Sequence, residues 1–358
     1  MNTLFALGSN GSGQLGISHK EDVSVPKPVV FYPEPPASRI IKVAAGGNHT
    51  LLLTESGELY WSGDFAGGAC GLVSTRLSAP AFRQAKLVKD GDVGHIVHIA
   101  ATWEASIVVV RDDNGKNTKI YSFGVGMKGE LGAGGLMVRT PSATQLKGFP
   151  PTGTEITDLS ACMGHVVVVL DNGDAYGWGN CRKGQVGGTG GVLHEPRKVE
   201  GLDFKVERAV CCKEATCYFG SSDSGNVRVL GSDKWGLVAG CPSKAPAWKA
   251  VGASWGNIYI LTAEGRLHGW GRDDHGQLPP PDLPPFKSFA AGSEHVVALS
   301  EGGDVLSWGW QEHGNCGPHA DADKGYGIIA SSKFIPKEAE IDTIGAGCAT
   351  SWVCISGI

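Results

Sequence analysis

The sequence predicts an all-β protein: a seven-bladed β-propeller closed by a blade shared between the N- and C-terminal ends, with residues 1–358 forming a single domain. Three observations carry that expectation. First, one unit recurs, and its clearest copy is DLSACMGHVVVVLDNGDAYGWGNCRKGQVGG, from Asp158 to Gly188. Further copies begin at Ile41, Trp248 and Phe286. Second, two spacings hold across copies. His49 to Gly63, His165 to Gly179, Asn257 to Gly271 and His295 to Gly309 are each 14 residues, and Gly8 to Gly16, Gly63 to Gly71, Gly124 to Gly132, Gly179 to Gly187 and Gly309 to Gly317 are each 8. Third, the ends are complementary. TLFALGSNGSGQLG near the N-terminus lacks the first half of a unit, and IDTIGAGCATSWVCIS from Ile341 has only that half. Units of short strands bury their faces only against neighbouring copies. Joining two halves into one blade leaves no free sheet edge at the seam, whereas a solenoid would show two capping ends.

Within the unit, LSACMGH reads as a first strand ending in a small-residue turn, and VVVVL as a second. Asn172-Gly173 then predicts a tight hairpin of type I′, which needs positive φ at both central residues. AYGWG is the third strand, and the glycine-rich NCRKGQVG is an exit loop that could supply a fourth. The glycines ending third strands lay out the whole chain: Gly8, Gly63, Gly124, Gly179, Gly231, Gly271 and Gly309. The third copy is stretched by DDNGKNTK from Asp112, and the fifth, from Phe204, is degenerate, with Ala215 in the histidine position. PPPDLPP from Pro279 reads as a stiff polyproline II loop. The segment 319–336 falls outside the repeat. Small pairs such as Ala44-Ala45 and Ala100-Ala101 would let inner strands crowd the axis, and Phe123, Trp178, Trp270 and Trp308 would pack between blades.

Composition narrows the function classes. Glycine is 54 of 358 residues, about double the usual ~7%, and it sits in the repeat turns rather than in low-complexity tracts. A net charge of −5 argues against a dedicated nucleic-acid binder. The opening MNTLFALGSNG lacks the basic and long apolar regions of a signal peptide, and no apolar run approaches the ~20 residues of a membrane span. The ten cysteines, without a CxxC pair, read as free buried thiols of a cytoplasmic or nuclear protein.

No motif points to catalysis. Gly124-Val-Gly126-Met-Lys-Gly129 fits GxGxxG, but a loop follows it where a pyrophosphate site needs a helix. Gly252-Ala-Ser254-Trp-Gly256 fits GxSxG, but lies between two strands. His49, His165 and His295 belong to different blades. They should therefore spread around a ring and bridge neighbouring backbone groups, without converging on a metal. No cofactor is expected.

Binding candidates stand out better. Trp103 and Trp255 occupy equivalent turns between first and second strands, where Gly47 and Ser293 sit in other copies. Large aromatics there suit a partner surface. Trp235, Trp310 and His313 in exit loops extend the set. Glu104, Glu214 and Glu294 share the next position and could form an acidic rim or be solvated loop carboxylates.

The pattern of Ala-Ala-Gly-x-x-His, an apolar strand, Gly-x-(Leu or Val)-Tyr-x-Trp-Gly and Gly-Gln-Leu-Gly resembles the regulator-of-chromosome-condensation repeat over essentially the whole chain. The resemblance implies a seven-bladed propeller closed by its ends. The opening FALGSNGSGQLGISHKEDVSVP from Phe5, with no appended domain, is most similar to the fungal bare-propeller members. That implies a non-enzymatic heterodimer partner of the small zinc- and iron-binding protein of diphthamide synthesis. The pair would support diphthamide formation on elongation factor 2 and, indirectly, Elongator-dependent modification of tRNA wobble uridines. The alternative implied by the family is nucleotide exchange on a Ran-type GTPase, which needs a protruding wedge and an acidic contact. The sequence shows neither a convincing wedge insertion nor a basic tail for chromatin. A hydrolase or lyase using the axial channel would need an acid–base set that the sequence does not offer.

Overall fold

The computed structural model describes residues 3–73, 79–188, 190–318 and 324–357. Among them the strands form seven sheets. Blade 1 is Ile40–Ala45, His49–Thr54, Leu59–Gly63 and Phe82–Gln84, with Phe31–Tyr32 added in parallel at its edge. Blades 2 and 3 begin at Ile96 and Ile156 and have four strands each. Blade 4, from Arg208, and blade 5, from Trp248, have three. Blade 6, from Phe286, regains a fourth, Gly327–Ser331. Part of the unassigned segment is thus a strand, followed by a short turn at Ser332–Phe334, while 319–323 lie outside the described residues. Blade 5 stops at three strands where the run from Pro279 begins, and prolines have no N–H to donate to a ladder.

Blade 7 joins the two ends. Glu340–Ala346 and Thr350–Ser356 supply its inner strands, and Thr3–Gly8 and Val23–Pro28 its outer ones. The seam pairs Thr3 with Ile355 through to Gly8 with Thr350 without a break in register. The seven first strands contact one another in sequence round the axis, and the last touches the first.

The pairing of the histidine position with the terminal glycine recurs in all seven blades, from His49 with Gly63 to Thr350 with Gly8. These glycines have φ between 102° and 123°. A Cβ at Gly179 would lie 2.4 Å from the Gly164 carbonyl oxygen, so no side chain fits.

The hairpins between second and third strands differ from the type I′ expectation. In DNGD only Gly173 has positive φ, Gly173 N donates to Leu170 O, and Leu170 N donates to Asp174 O. This is a longer loop with one left-handed glycine, repeated at Gly57, Gly115 and Gly265.

Each gap between blades holds its own apolar core. Val166 and Val168 pack with Ile107 and Val109 of blade 2, while Val167 and Val169 pack with Tyr218 of blade 4. A strand buried on both faces accounts for an unbroken valine run. Each fully buried valine contributes on the order of 1.5–3 kcal/mol. Trp178 and Trp308 are buried between blades as expected, whereas Trp270 is only half-buried.

Candidate protein-interaction face

Because each first turn sits beside the end of its own third strand, the turns and exit loops share one face. Arg272 N donates to Gly256 O and Trp310 N to Glu294 O, binding loop to turn. The turns are also tied to each other across blades. Gly47 N donates to Trp103 O at 2.9 Å, Trp103 N to Met163 O at 2.8 Å, Lys213 N to Trp255 O at 3.0 Å, Trp255 N to Ser293 O at 2.9 Å and Ser293 N to Gly347 O at 2.9 Å. This backbone belt is interrupted after blades 3 and 7, whose turns hold Met163 and Ala349 at φ 46° and 52°. The belt makes the face a preformed platform.

Three histidines fasten blades below it. His49 Nε2 lies 3.0 Å from Ser106 Oγ, His165 Nε2 2.8 Å from Thr216 Oγ1, and His295 Nε2 2.9 Å from Ser351 Oγ, each crossing to the next blade. Ser106 Oγ donates onward to Ala69 O, and Ser351 Oγ to Asn315 O. Their hydroxyl protons being committed, His49 and His295 donate from Nε2. The bridge therefore runs through a hydroxyl and not directly to backbone as the sequence suggested. Burial holds all three imidazoles down at about 4, so they are neutral at pH 7. Among the described residues no group of three His, Cys, Asp or Glu is placed to hold a metal.

Trp103 and Trp255 reach across the axis and meet, ring centroids 6.0 Å apart. Trp103 lies on Gly47, where a Cβ would come within 2.5 Å of the ring. Lys213 Nζ sits 5.2 Å from the Trp255 ring centre. The pair covers one end of an axial channel of about 410 Å³. The two rings line one surface near the axis, and each shields part of the other. Trp103 remains 37% exposed and Trp255 is half-buried.

Farther out, Arg272 of blade 5 is held between two loops. Its guanidinium carbon is 4.9 Å from the Trp235 ring centre (blade 4) and 5.5 Å from that of Trp310 (blade 6). His275 stacks on Trp310 with centroids 4.2 Å apart. Glu294 is not on an exposed rim: it is 8% exposed and accepts from Arg272 Nη1 at 2.7 Å and Gln277 Nε2 at 3.1 Å. A carboxylate so committed serves the loop's shape. Glu104 is exposed and Glu214 half-buried. His313 Nδ1 lies 2.8 Å from Asp22 Oδ2, joining the exit loops of blades 6 and 7. The structure thus brings Trp103, Trp255, Trp235, Trp310 and His313 to one face and adds Arg272, Lys213 and His275.

The catalytic motifs find no chemistry. The strand carrying Gly124 ends at Val125 and passes into a turn. Ser254 is buried and donates to Asn257 Oδ1. All ten cysteines are free, and burial pushes the Cys162 and Cys217 thiols well above the usual range.

Residues 2–53 match the regulator of chromosome condensation (RCC1) repeat, and residues 248–277 and 286–315 match a second model of that repeat. An RCC1 repeat-containing protein of Schizosaccharomyces pombe is 33% identical over 296 residues, 76% of this chain and 78% of its own length. A secretion-regulating guanine nucleotide exchange factor of Bos taurus is 28% identical over 299 residues, 77% of this chain and 61% of its own length. In structure, Prp20p of Saccharomyces cerevisiae, characterised for binding to Gsp1p and histones, gives a TM-score of 0.80 at 20% identity, covering 100% of this chain and 92% of that one. Human WBSCR16 gives 0.79 at 15% identity, covering 98% and 99%. At those identities the two structures speak for the fold alone. With its repeat register closed through seven blades and a relative one-third identical over most of both chains, the protein belongs to the RCC1 repeat family.

Proposed function

We propose that the chain is a non-enzymatic protein-binding scaffold of the fungal alpha-tubulin suppressor type, using the turn face to hold a compact protein partner. The observation that carries this reading is the aromatic surface formed by Trp103, Trp255, Trp235 and Trp310 on a backbone-tied platform. Rigid, partly exposed tryptophans offer contact area at little ordering cost. The partner proposed from the resemblance is the small zinc- and iron-binding protein of diphthamide synthesis. The complex would act in the cytoplasm and nucleus, supporting diphthamide formation and, indirectly, Elongator-dependent tRNA modification. Calorimetry with that purified protein tests the reading. Trp103→Ala and Trp255→Ala should each weaken binding by about 2 kcal/mol or more with melting unchanged. Unchanged affinity in both variants would move the interface off this face, and no binding by wild type would remove the partner.

The second reading, nucleotide exchange on a Ran-type GTPase, is favoured by the 28% identity to a guanine nucleotide exchange factor. Release of labelled nucleotide from a Ran-type GTPase, accelerated by the chain, would establish it in place of the first.

A further inference from the structure

The axial channel has two unlike ends. At the turn face it is covered by Trp103 and Trp255. Toward the opposite face, four consecutive blades place an ionisable residue at one level of the inner strand. Lys42, His98, Asp158 and Arg208 pair with Leu53, Val109, Val169 and Phe219, each four residues beyond the histidine position. The other three blades carry neutral residues at that level, such as Ser288 and Thr343. The charge is gathered on one arc.

That arc is not self-neutralised. Asp158 is already engaged: Oδ1 accepts from Arg208 Nη1 at 2.8 Å and Oδ2 from Ala209 N at 3.0 Å. Among the described residues Lys42 has no carboxylate within ion-pair distance, although it lines the channel. Arg208 is half exposed at the mouth, and among the described residues its remaining N–H groups have no protein partner. His98 is neutral, its imidazole held down at about 4 by burial and then by the Lys42 charge. Burial pushes the Lys42 ammonium down, opposed only by an Asp158 carboxylate already engaged by Arg208, so an anion joining it would offset that cost. Deeper in, the walls are small and apolar, with Ala44, Ala100 and Gly252 above the tryptophan floor. The volume of about 410 Å³ falls within the ~300–1,000 Å³ of small-molecule sites.

We propose that the channel is a blind ligand pocket for a small organic oxyanion, whose charged group sits between Lys42 and Arg208 and whose apolar body points toward the Trp103–Trp255 floor. The charged mouth lies opposite the partner face, with Trp103 and Trp255 shared as the floor, and the proposal does not depend on the partner assignment. Calorimetry on the full chain with phenyl phosphate and with benzoate distinguishes a phosphate ester from a carboxylate, and benzyl alcohol is the uncharged control. One or both oxyanions should bind at one per chain, and Lys42→Met should weaken that binding at least tenfold, whereas Lys42→Arg should restore most of it. Removing an unpaired cation should leave Lys42→Met folded. As a readout on wild type alone, the His98 ring protons should shift on addition of the bound oxyanion, because the charges facing that imidazole are Lys42, Asp158 and Arg208. Absence of saturable binding by both oxyanions would overturn the proposal. So would equal binding of benzyl alcohol, equal affinity in Lys42→Met, or an unmoved His98 signal at saturation.

Discussion

Replacing His165 probes how blades are fastened. His165 Nε2 meets Thr216 Oγ1 at 2.8 Å in a fully buried setting, and among the described residues its Nδ1 has no partner, so the latch is a single hydrogen bond. Such a bond is worth about 1 kcal/mol net, while leaving a buried group orphaned costs on the order of 1–3 kcal/mol. His165→Ala should therefore destabilise by about 2 kcal/mol before any cavity cost. With ~2.1 cal/mol/K of unfolding entropy per residue over 358 residues, that lowers the melting temperature by about 3 °C. A cycle with Thr216→Val should return a coupling of about 1 kcal/mol. Acid gives an independent measure. Burial lowers the folded imidazole to about 4 from 6.5, so between these pH values the unfolded chain binds more protons. Stability is full above pH 6.5 and falls as pH drops toward 4, by about 2 kcal/mol for this histidine at pH 5. Urea denaturation at pH 7.5 and pH 5 should thus show the gap between wild type and His165→Ala nearly closing in acid. A gap independent of pH, together with zero coupling to Thr216, would refute the latch.

Gly179→Ala should cost more than any latch, because it forces a side chain into φ 102° with its Cβ 2.4 Å from a carbonyl oxygen; a loss under about 1 kcal/mol by chemical denaturation would contradict that geometry. Deleting residues 1–16 removes Thr3–Gly8 from between Thr350–Ser356 and Val23–Pro28, so the chain should aggregate or melt far earlier. A truncated chain that melts like wild type would rule out the shared blade as the closure.

The ring was legible because its two spacings are backbone requirements: the histidine position must face the terminal glycine, and that glycine must adopt positive φ. The latches were half legible. A serine or threonine follows the repeat position in the blade after each of His49, His165 and His295, but the match emerges only when successive repeats are compared as spatial neighbours. The Asn172-Gly173 signal fits two kinds of hairpin, and the flanking Asp171 and Asp174 belong to the longer one. Glu294 and Glu104 hold equivalent positions with opposite fates, because only Glu294 has an Arg272 to bury it. That depends on exit-loop paths, which have no common register across copies.

The ties between blades explain why the candidate face lies where it does. Buried histidine latches fasten blades 1 to 2, 3 to 4 and 6 to 7. Trp178 Nε1 donating to Glu130 O fastens 2 to 3, and Ser62 Oγ donating to Gly13 O fastens 7 to 1. Blades 4 and 5 carry Ala215 and Asn257 in the histidine position, so no histidine latch reaches from them; instead Trp270 Nε1 donating to Leu237 O at 3.0 Å fastens 4 to 5, and Gln277 Nε2 donating to Glu294 Oε2 ties 5 to 6. Arg272 adds a further tie there, its guanidinium over Trp235 of blade 4 and Trp310 of blade 6 and paired with Glu294. A buried latch has no surface to offer a partner. The Arg272 tie across blades 4, 5 and 6 lies near the surface, so some of the side chains that brace the ring there are ones a partner can touch. Binding over Trp235 and Trp310 would remove water from around the Arg272–Glu294 pair and strengthen it, which couples occupancy of this face to the spacing of three blades.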